Sequence, residues 1–313
     1  MTRGVRIAAL AVLSMYLSFC SPPIRPSVPP DQAERLLKQL WKKPSNPGAR
    51  DLVYGPWGRK HAPVAGATYT FEHPKTHGVN PGMTVTDPEG REWSVKQGEE
   101  GHVEVAFSRI LSAVGYHQPP VYFLESFTLQ DDKGIHTENG GRFRLKPPEL
   151  NDLGEWSWQR NPFVGTRPYQ GLLVILMLFG SSDLKNNNNT LYRYQPAGRP
   201  PDVWYVVRDI GTALGETAHL APRRNDPVLF ARQPFITAVS DGFVEFGFSG
   251  WHKELVAHRI TPGDVEWACE FMAGLTDDQW TDAFRTAGYD RTVAAQFIAT
   301  LKSRIDAGLT IGH

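Results

Sequence analysis

The sequence predicts an α+β fold, and three observations carry that expectation. Period-two alternation rich in β-branched residues runs through residues 67–96. A single helical pattern, residues 102–114, interrupts the strands. After Thr261 the chain turns to helical patterns. With 313 residues there is material for two lobes or two modest domains. A hydrophobic fraction of 41% supplies a sizeable core and excludes global disorder. Lys plus Arg number 33 and Asp plus Glu number 33, so charge offers no case for a nucleic-acid partner. The 25 prolines and 29 glycines point to many turns and irregular connections rather than a helical bundle.

The first element is not part of the fold. Arg3 and Arg6 precede an apolar run over residues 7–20, the layout of an export signal. The run is shorter than the ~20 residues that a spanning helix needs. Residues 1–20 are therefore set apart as a signal peptide or lipoprotein signal. Leu17-Ser18-Phe19-Cys20 resembles a lipoprotein cleavage box, which would leave Cys20 lipidated and the protein attached to a membrane. Phe19 stands where a small residue is usual. Ordinary cleavage after Cys20 and a retained anchor are the other two options. Each implies an exported protein, periplasmic or held to a membrane by its N-terminus. Cys269 is the other of the two cysteines and reads as a buried core thiol, so with Cys20 removed or lipidated no intrachain disulfide is expected.

Residues 21–65 form a Pro-rich spacer with a short amphipathic helix at 31–43, apolar at Leu36, Leu37, Leu40 and Trp41. A first strand at 67–72 is followed by a turn at 78–82 and a hairpin of 83–87 with 91–96. The helix at 102–114 turns Val103, Phe107, Ile110, Leu111 and Val114 inward, and Gly115 caps it. Further strands are expected at 121–124 and 142–145. The irregular stretch 146–161, with its prolines and the Trp156 and Trp158 pair, separates a first unit (66–150) from a second (151–313). In the second unit an apolar helix at 169–179 leads into Asp183, and a hairpin of 190–194 with 203–207 ends on Asp209. Thr261-Pro262 opens a helix. Thr276 with Gln279 makes a capping box for the next, with Trp280, Ala283 and Phe284 inward, and residues 292–307 make a third.

Phosphoryl transfer needs cations on the phosphates, metals bridging them, and a carboxylate that orients the attacking hydroxyl. Three stretches supply residues of those types: Val95-Lys96, Ser182-Asp183-Leu184-Lys185-Asn186-Asn187-Asn188, and Arg208-Asp209-Ile210-Gly211. Lys96 ends a strand, where its ammonium can neutralise phosphates. Glu104 on the next helix is its best-placed partner, with Glu99 and Glu100 as alternatives. A loop can aim Asp183 at a hydroxyl and, one turn later, the amide of Asn188 at a metal, while Lys185 meets the transferred phosphate. Asp209 can chelate magnesium, and Gly211 permits a sharp turn. Gly78 and Gly82 flank a candidate phosphate loop. Taken singly, each has a plainer use: a surface lysine, an Asn-rich loop, an ordinary Asp-x-Gly turn.

In this order the three stretches resemble the phosphate lysine, catalytic loop and metal-binding turn of protein kinases. The chain is similar to atypical bacterial protein-kinase-like proteins, and more distantly to HipA-type and secretory-pathway kinases. It also resembles bacterial exported, lipoprotein-like proteins that share the Gly115-Tyr116-His117-Gln118-Pro119-Pro120 and Asp-Leu-Lys segments. The resemblance covers residues 66–310. It implies a two-lobed protein-kinase-like fold, with an antiparallel-sheet N-lobe carrying one helix and a mainly helical C-lobe. It implies ATP and Mg²⁺ in the cleft between the lobes. Lys96, Glu104, Gly78 and Gly82 would bind the nucleotide, Asp183 and Lys185 would act in catalysis, and Asn188 and Asp209 would hold the metal. There are departures: no Gly-x-Gly-x-x-Gly, serines at 181 and 182 instead of His-Arg, and no Ala-Pro-Glu after Gly211. They bear on peptide recognition more than on nucleotide binding.

The expected function is Mg-ATP-dependent phosphotransfer to a hydroxyl on a protein or small molecule. A catalytically silent binding or scaffold protein is the alternative from another class, and nucleotidyl transfer with the nucleotide reversed is a third. Fused to a reporter active only outside the cytoplasm, residues 1–30 should switch it on; a silent reporter removes the export reading.

Overall fold

The computed structural model describes residues 23–64, 66–76, 80–218 and 223–312, so the export segment, Cys20 and Gly78 lie outside the described residues. The chain enters through a short helix, α1 (Pro30–Leu36), followed by a 3₁₀ turn (Leu37–Gln39), which together replace the longer helix expected at 31–43.

Alternation then builds a barrel. β1 (Thr68–Pro74), β2 (Gly82–Thr86), β3 (Glu92–Gln97), β4 (Val121–Asp131) and β5 (Gly134–Leu145) close in the order β1-β2-β3-β5-β4. Tyr69, Val85, Trp93, Val95, Phe127, Phe143 and Leu145 fill the interior. Because side chains alternate along a strand, Ser94 and Lys96 face outward. The register sets Ser94 opposite Arg144 and Lys96 opposite Arg142, so four polar side chains share one outer patch.

Two expectations about this sheet change. It is not wholly antiparallel: β1 pairs in parallel with β4 (Thr68 with Thr128, Tyr69 with Leu129, Thr70 with Gln130), and that pairing closes the barrel and removes its edges. The strands expected at 121–124 and 142–145 are the inner ends of one long hairpin, paired from Val121–Arg144 out to Asp131–Gly134. The outer half of β5 is exposed and polar, so no apolar alternation marks it, while β4 keeps Phe127 and Leu129 in the barrel.

Between β3 and β4 lies α2 (Glu100–Ala113), which begins two residues before the expected start and ends, as expected, at a positive-φ Gly115. Its apolar face does not join the barrel interior. Val103, Phe107, Ile110 and Leu111 belong to the same core as the helices that follow, and Phe107 stacks on Phe179 with ring centroids 3.9 Å apart.

The stretch expected to be irregular contains β6 (Leu150–Asp152), which joins β7 (Asn189–Tyr194) and β8 (Asp202–Val207) in a three-stranded sheet. Trp156 and Trp158 are buried there, and Trp156 Nε1 donates to the Val206 carbonyl at 3.0 Å. The apolar helix α3 (Arg167–Leu178) precedes the Asn-rich loop. After β8 come α4 (Pro227–Arg232), the hairpin of β9 (Ile236–Ser240) and β10 (Phe243–Phe246), then α5 (Pro262–Ala273), α6 (Asp277–Arg285) and α7 (Arg291–Leu309). Both threonine caps form as read. In the second, Thr276 Oγ1 accepts from Gln279 N–H at 3.2 Å, and Gln279 Oε1 accepts from Thr276 N–H at 2.9 Å. Cys269 is fully buried and unbridged, and burial pushes its thiol up to about 12. Among the described residues no helix is long and apolar enough to cross a membrane.

The stacked Phe107 ring joins α2 to α3, and deleting it removes transfer free energy and leaves a cavity. Phe107→Ala should cost about 3–5 kcal/mol, read as a lower urea midpoint. Ile135→Ala, on the exposed outer hairpin where 67% of the side chain meets solvent, should stay within about 0.5 kcal/mol.

Candidate functional site

The site begins with the outward-facing Lys96 and the start of α2. Glu100 and Glu104 lie four residues apart and so share one helix face. Lys96 Nζ is 2.6 Å from Glu100 Oε2, 2.5 Å from Glu104 Oε1 and 2.9 Å from Asp209 Oδ1. Arg142 Nε lies 2.9 Å from Glu104 Oε2, and Arg224 pairs with Glu100. Three carboxylates thus face three cations. Lys96, Glu104 and Arg142 are almost wholly buried, a placement tolerable only because each charge is paired. The ligand atoms of Glu100, Glu104 and Asp209 lie within 4.8 Å of one another, as metal ligands would, but the Lys96 ammonium is bonded to all three.

Gly211 allows the Asp209 turn to come so close. A Cβ at Gly211 would lie 2.6 Å from the Cβ of Glu100. Any other residue would push the turn away from α2.

The second half of the site comes from the loop after α3. Asn188 Nδ2 donates to the Asp183 carbonyl at 2.7 Å, which closes the loop on itself. The Asn188 carbonyl in turn accepts from the N–H groups of Arg208 (2.9 Å) and Asp209 (3.1 Å), which stitches the loop to the turn. Lys185 Nζ sits 3.1 Å from Asp183 Oδ1 and 4.8 Å from the centre of the Trp251 ring. Trp251 N–H donates to the Ser182 carbonyl at 3.0 Å.

Lys96, Asp183, Lys185, Asn188 and Asp209, all named from the sequence, line one cavity of about 340 Å³. Glu104 stands behind Lys96 and holds it. Gly82 does not line the cavity: it lies on β2 opposite Lys96, where a Cβ would come within 2.5 Å of the Val95 carbonyl. Glu99 is exposed and takes no part in the cluster. Glu100, read as an alternative in a connecting turn, is a full partner of Lys96 because α2 starts earlier than its periodicity shows. Arg142, Arg224 and Lys75, which also lines the cavity, were not found from the sequence. Arg142 could have been found only by pairing β5 with β3; nothing local marks Arg224.

Electrostatics follow from this packing. Burial raises the Asp209 carboxyl, but the Lys96 ammonium and its hydrogen bond outweigh that and hold it well below the ordinary 3.8. The Lys75 ammonium is lowered, first by burial and then by repulsion from Lys96. Asn188 has its Nδ2 committed to Asp183, which leaves Oδ1 as its acceptor end, and 47% of the Asp209 side chain is exposed. Both side chains line one cavity, and an amide oxygen and a carboxylate are donor types that suit Mg²⁺, so these residues fit the ion.

No family model matches the chain, and no curated protein sequence matches it. Among the solved structures similar to the chain are two kinases. One is a Helicobacter pylori proinflammatory kinase, CtkA, at 12% identity and a TM-score of 0.43, covering 78% of this chain and 97% of that one. The other is the Rio2 kinase of Chaetomium thermophilum in an ADP/Mg²⁺-phosphoaspartate complex, at 12% identity and a TM-score of 0.31, covering 76% and 72%. With both scores below 0.5, the chemistry rests on the site's own geometry.

A carboxyl held below its unfolded value stabilises the fold above about pH 4 and loses that contribution as the pH falls. Asp209→Asn removes the effect. Wild-type stability in urea should therefore fall more steeply than that of the variant between pH 5 and about pH 3; parallel curves would remove the Lys96–Asp209 contact as the cause.

Proposed function

We propose that the chain is a two-lobed, protein-kinase-like phosphotransferase. It would carry the γ-phosphoryl group of a nucleoside triphosphate, with ATP the donor the sequence resemblance implies, to a hydroxyl on a protein or small molecule. The observation that carries this reading is the Asn188 carbonyl accepting from both Arg208 and Asp209, which turns the Asp183 loop and the Asp209 turn toward one cavity with Lys96. The barrel with its polar outer patch and the helical part with its two loops take the place of the two lobes.

Each residue has one task. Lys96, oriented by Glu104 and Glu100, binds phosphate oxygens. Asn188 and Asp209 hold Mg²⁺, which supplies charge neutralisation at the phosphates when bound. The Asp183 carboxylate accepts the acceptor's O–H and so orients that oxygen for in-line attack. Lys185, already 3.1 Å from Asp183, follows the negative charge onto the transferred group. The P–O bond to the leaving diphosphate breaks as the bond to the acceptor oxygen forms, and the acceptor's proton passes to Asp183.

A silent binding protein is the second reading, favoured by one observation: the Lys96 ammonium is already shared by three carboxylates, as in a purely structural ion cluster. Thermal shift with Mg-ATP tests the binding that both readings share, since ligand at one hundred times its Kd stabilises by about 2.7 kcal/mol. Label from the γ-phosphate should then appear on an acceptor, and Asp183→Ala should abolish that transfer while keeping the shift. A shift without transfer supports the silent reading, transfer of α-label supports nucleotidyl transfer, and no shift with any triphosphate ends the proposal.

A further inference from the structure

A second cavity of about 430 Å³ lies beside the first, and Ser94, Arg144, Pro147, Pro148, Asp152 and Arg208 help line it. Ser94 precedes Lys96 by two residues on the same face of β3, about 7 Å along the strand. Arg208 adjoins Asp209. On the phosphotransferase reading above, a nucleotide whose phosphates meet Lys96 and Asp209 therefore sets its base in this second cavity.

The backbone there has little to offer an adenine. Adenine's ring nitrogens accept hydrogen bonds and its amino group donates. The segment after β5 has almost no free N–H to give. Leu145 N–H donates to the Pro120 carbonyl (3.0 Å), Lys146 N–H to Glu92 (2.9 Å) and Leu150 N–H to Pro147 (3.0 Å). Pro147 and Pro148 have no N–H at all. Up to Leu150 the one remaining donor, that of Glu149, belongs to a residue that does not line the cavity.

The side chains offer the opposite polarity. Arg142 is paired with Glu104, and Arg208 with Asp152 at 2.9 Å. The guanidinium of the half-buried Arg144 has no hydrogen bond or ion pair among the described residues. Burial and the neighbouring Arg142 and Arg208 lower its guanidinium to about 9, so it stays charged at neutral pH. A charged fork left without a partner in a part-buried cavity is costly unless a ligand meets it. Guanine's O6 and N7 are two acceptors set side by side, the pair that a guanidinium reads. Adenine puts an amino donor in place of O6 and repels it. Asp152, 49% exposed at its side chain, adds an acceptor of the kind that guanine's N1–H and 2-amino group require.

We infer that the nucleotide donor carries guanine rather than adenine, and that Arg144 reads the base. The full chain would be titrated calorimetrically, with Mg²⁺, against the β,γ-imido analogues of GTP and ATP and against tripolyphosphate, which has no base. The guanine analogue should bind about tenfold or more tightly than the adenine analogue. Arg144→Met should bring the two affinities together, and Arg144→Lys, which keeps the charge but loses the fork, should do so in part. Circular dichroism would confirm that both variants fold. Equal or tighter adenine binding by the wild type overturns the inference and leaves phosphotransfer standing. An unchanged ratio in both variants overturns the role of Arg144. If none of the three ligands binds, the phosphotransferase reading fails and the base preference falls with it.

Discussion

The Lys96 ammonium joins three parts of the chain that sequence order keeps apart. It arrives on a barrel strand, receives two carboxylates from the first turns of α2, and reaches a third at the Asp209 turn. Arg142 and Arg224 complete the cluster from β5 and from the segment after Gly211. Breaking a buried pair by removing one partner costs about 3–5 kcal/mol, because the other charge is left stranded. The barrel, the helix and the turn are therefore held in one relative position by charge as well as by packing. That position puts Lys96, Asp183, Asn188 and Asp209 on the same cavity.

α2 is divided between two environments. Its apolar face is part of the helical core, through Phe107 on Phe179, while its charged first turns serve the barrel's outer patch. A shift of this helix would disturb both at once. The connection that follows it, Gly115 to Pro120, adds a further tie: Gln118 Nε2 donates to the Val207 carbonyl at 3.2 Å, just ahead of Arg208 and Asp209. This segment therefore has a structural use, tying the end of α2 to the chain just ahead of the Asp209 turn.

The two cavities divide the chemistry. On the proposed reading, the one around Lys96, Asp183, Asn188 and Asp209 would serve phosphates, an ion and a hydroxyl. The one around Arg144 and Asp152 carries charged groups where a flat, apolar slot would suit any base, and prolines remove the backbone's donors. On the inferred base preference, recognition there would pass from the backbone to side chains, and selectivity would depend on a few replaceable residues and not on the barrel itself.

The strands at 83–87 and 91–96, the threonine caps, the apolar α3 and the buried Cys269 were legible in the sequence because alternation, capping and helical periodicity are properties of neighbours. The spacing of Asp183, Lys185 and Asn188 was legible for the same reason, since one short loop holds all three. The parallel β1–β4 pair, the polar outer half of β5 and β6 were not, because each depends on a distant segment or lacks an apolar face. Glu100 was undervalued because helix starts are set by contacts beyond the helix, and here Lys96, Arg224 and Gly211 supply them. Local order among neighbours named most of the groups able to act. Which of them meet, and that the Arg144 guanidinium is left without a partner among the described residues, was decided only when strands and loops far apart in the chain packed together and matched or failed to match their charges.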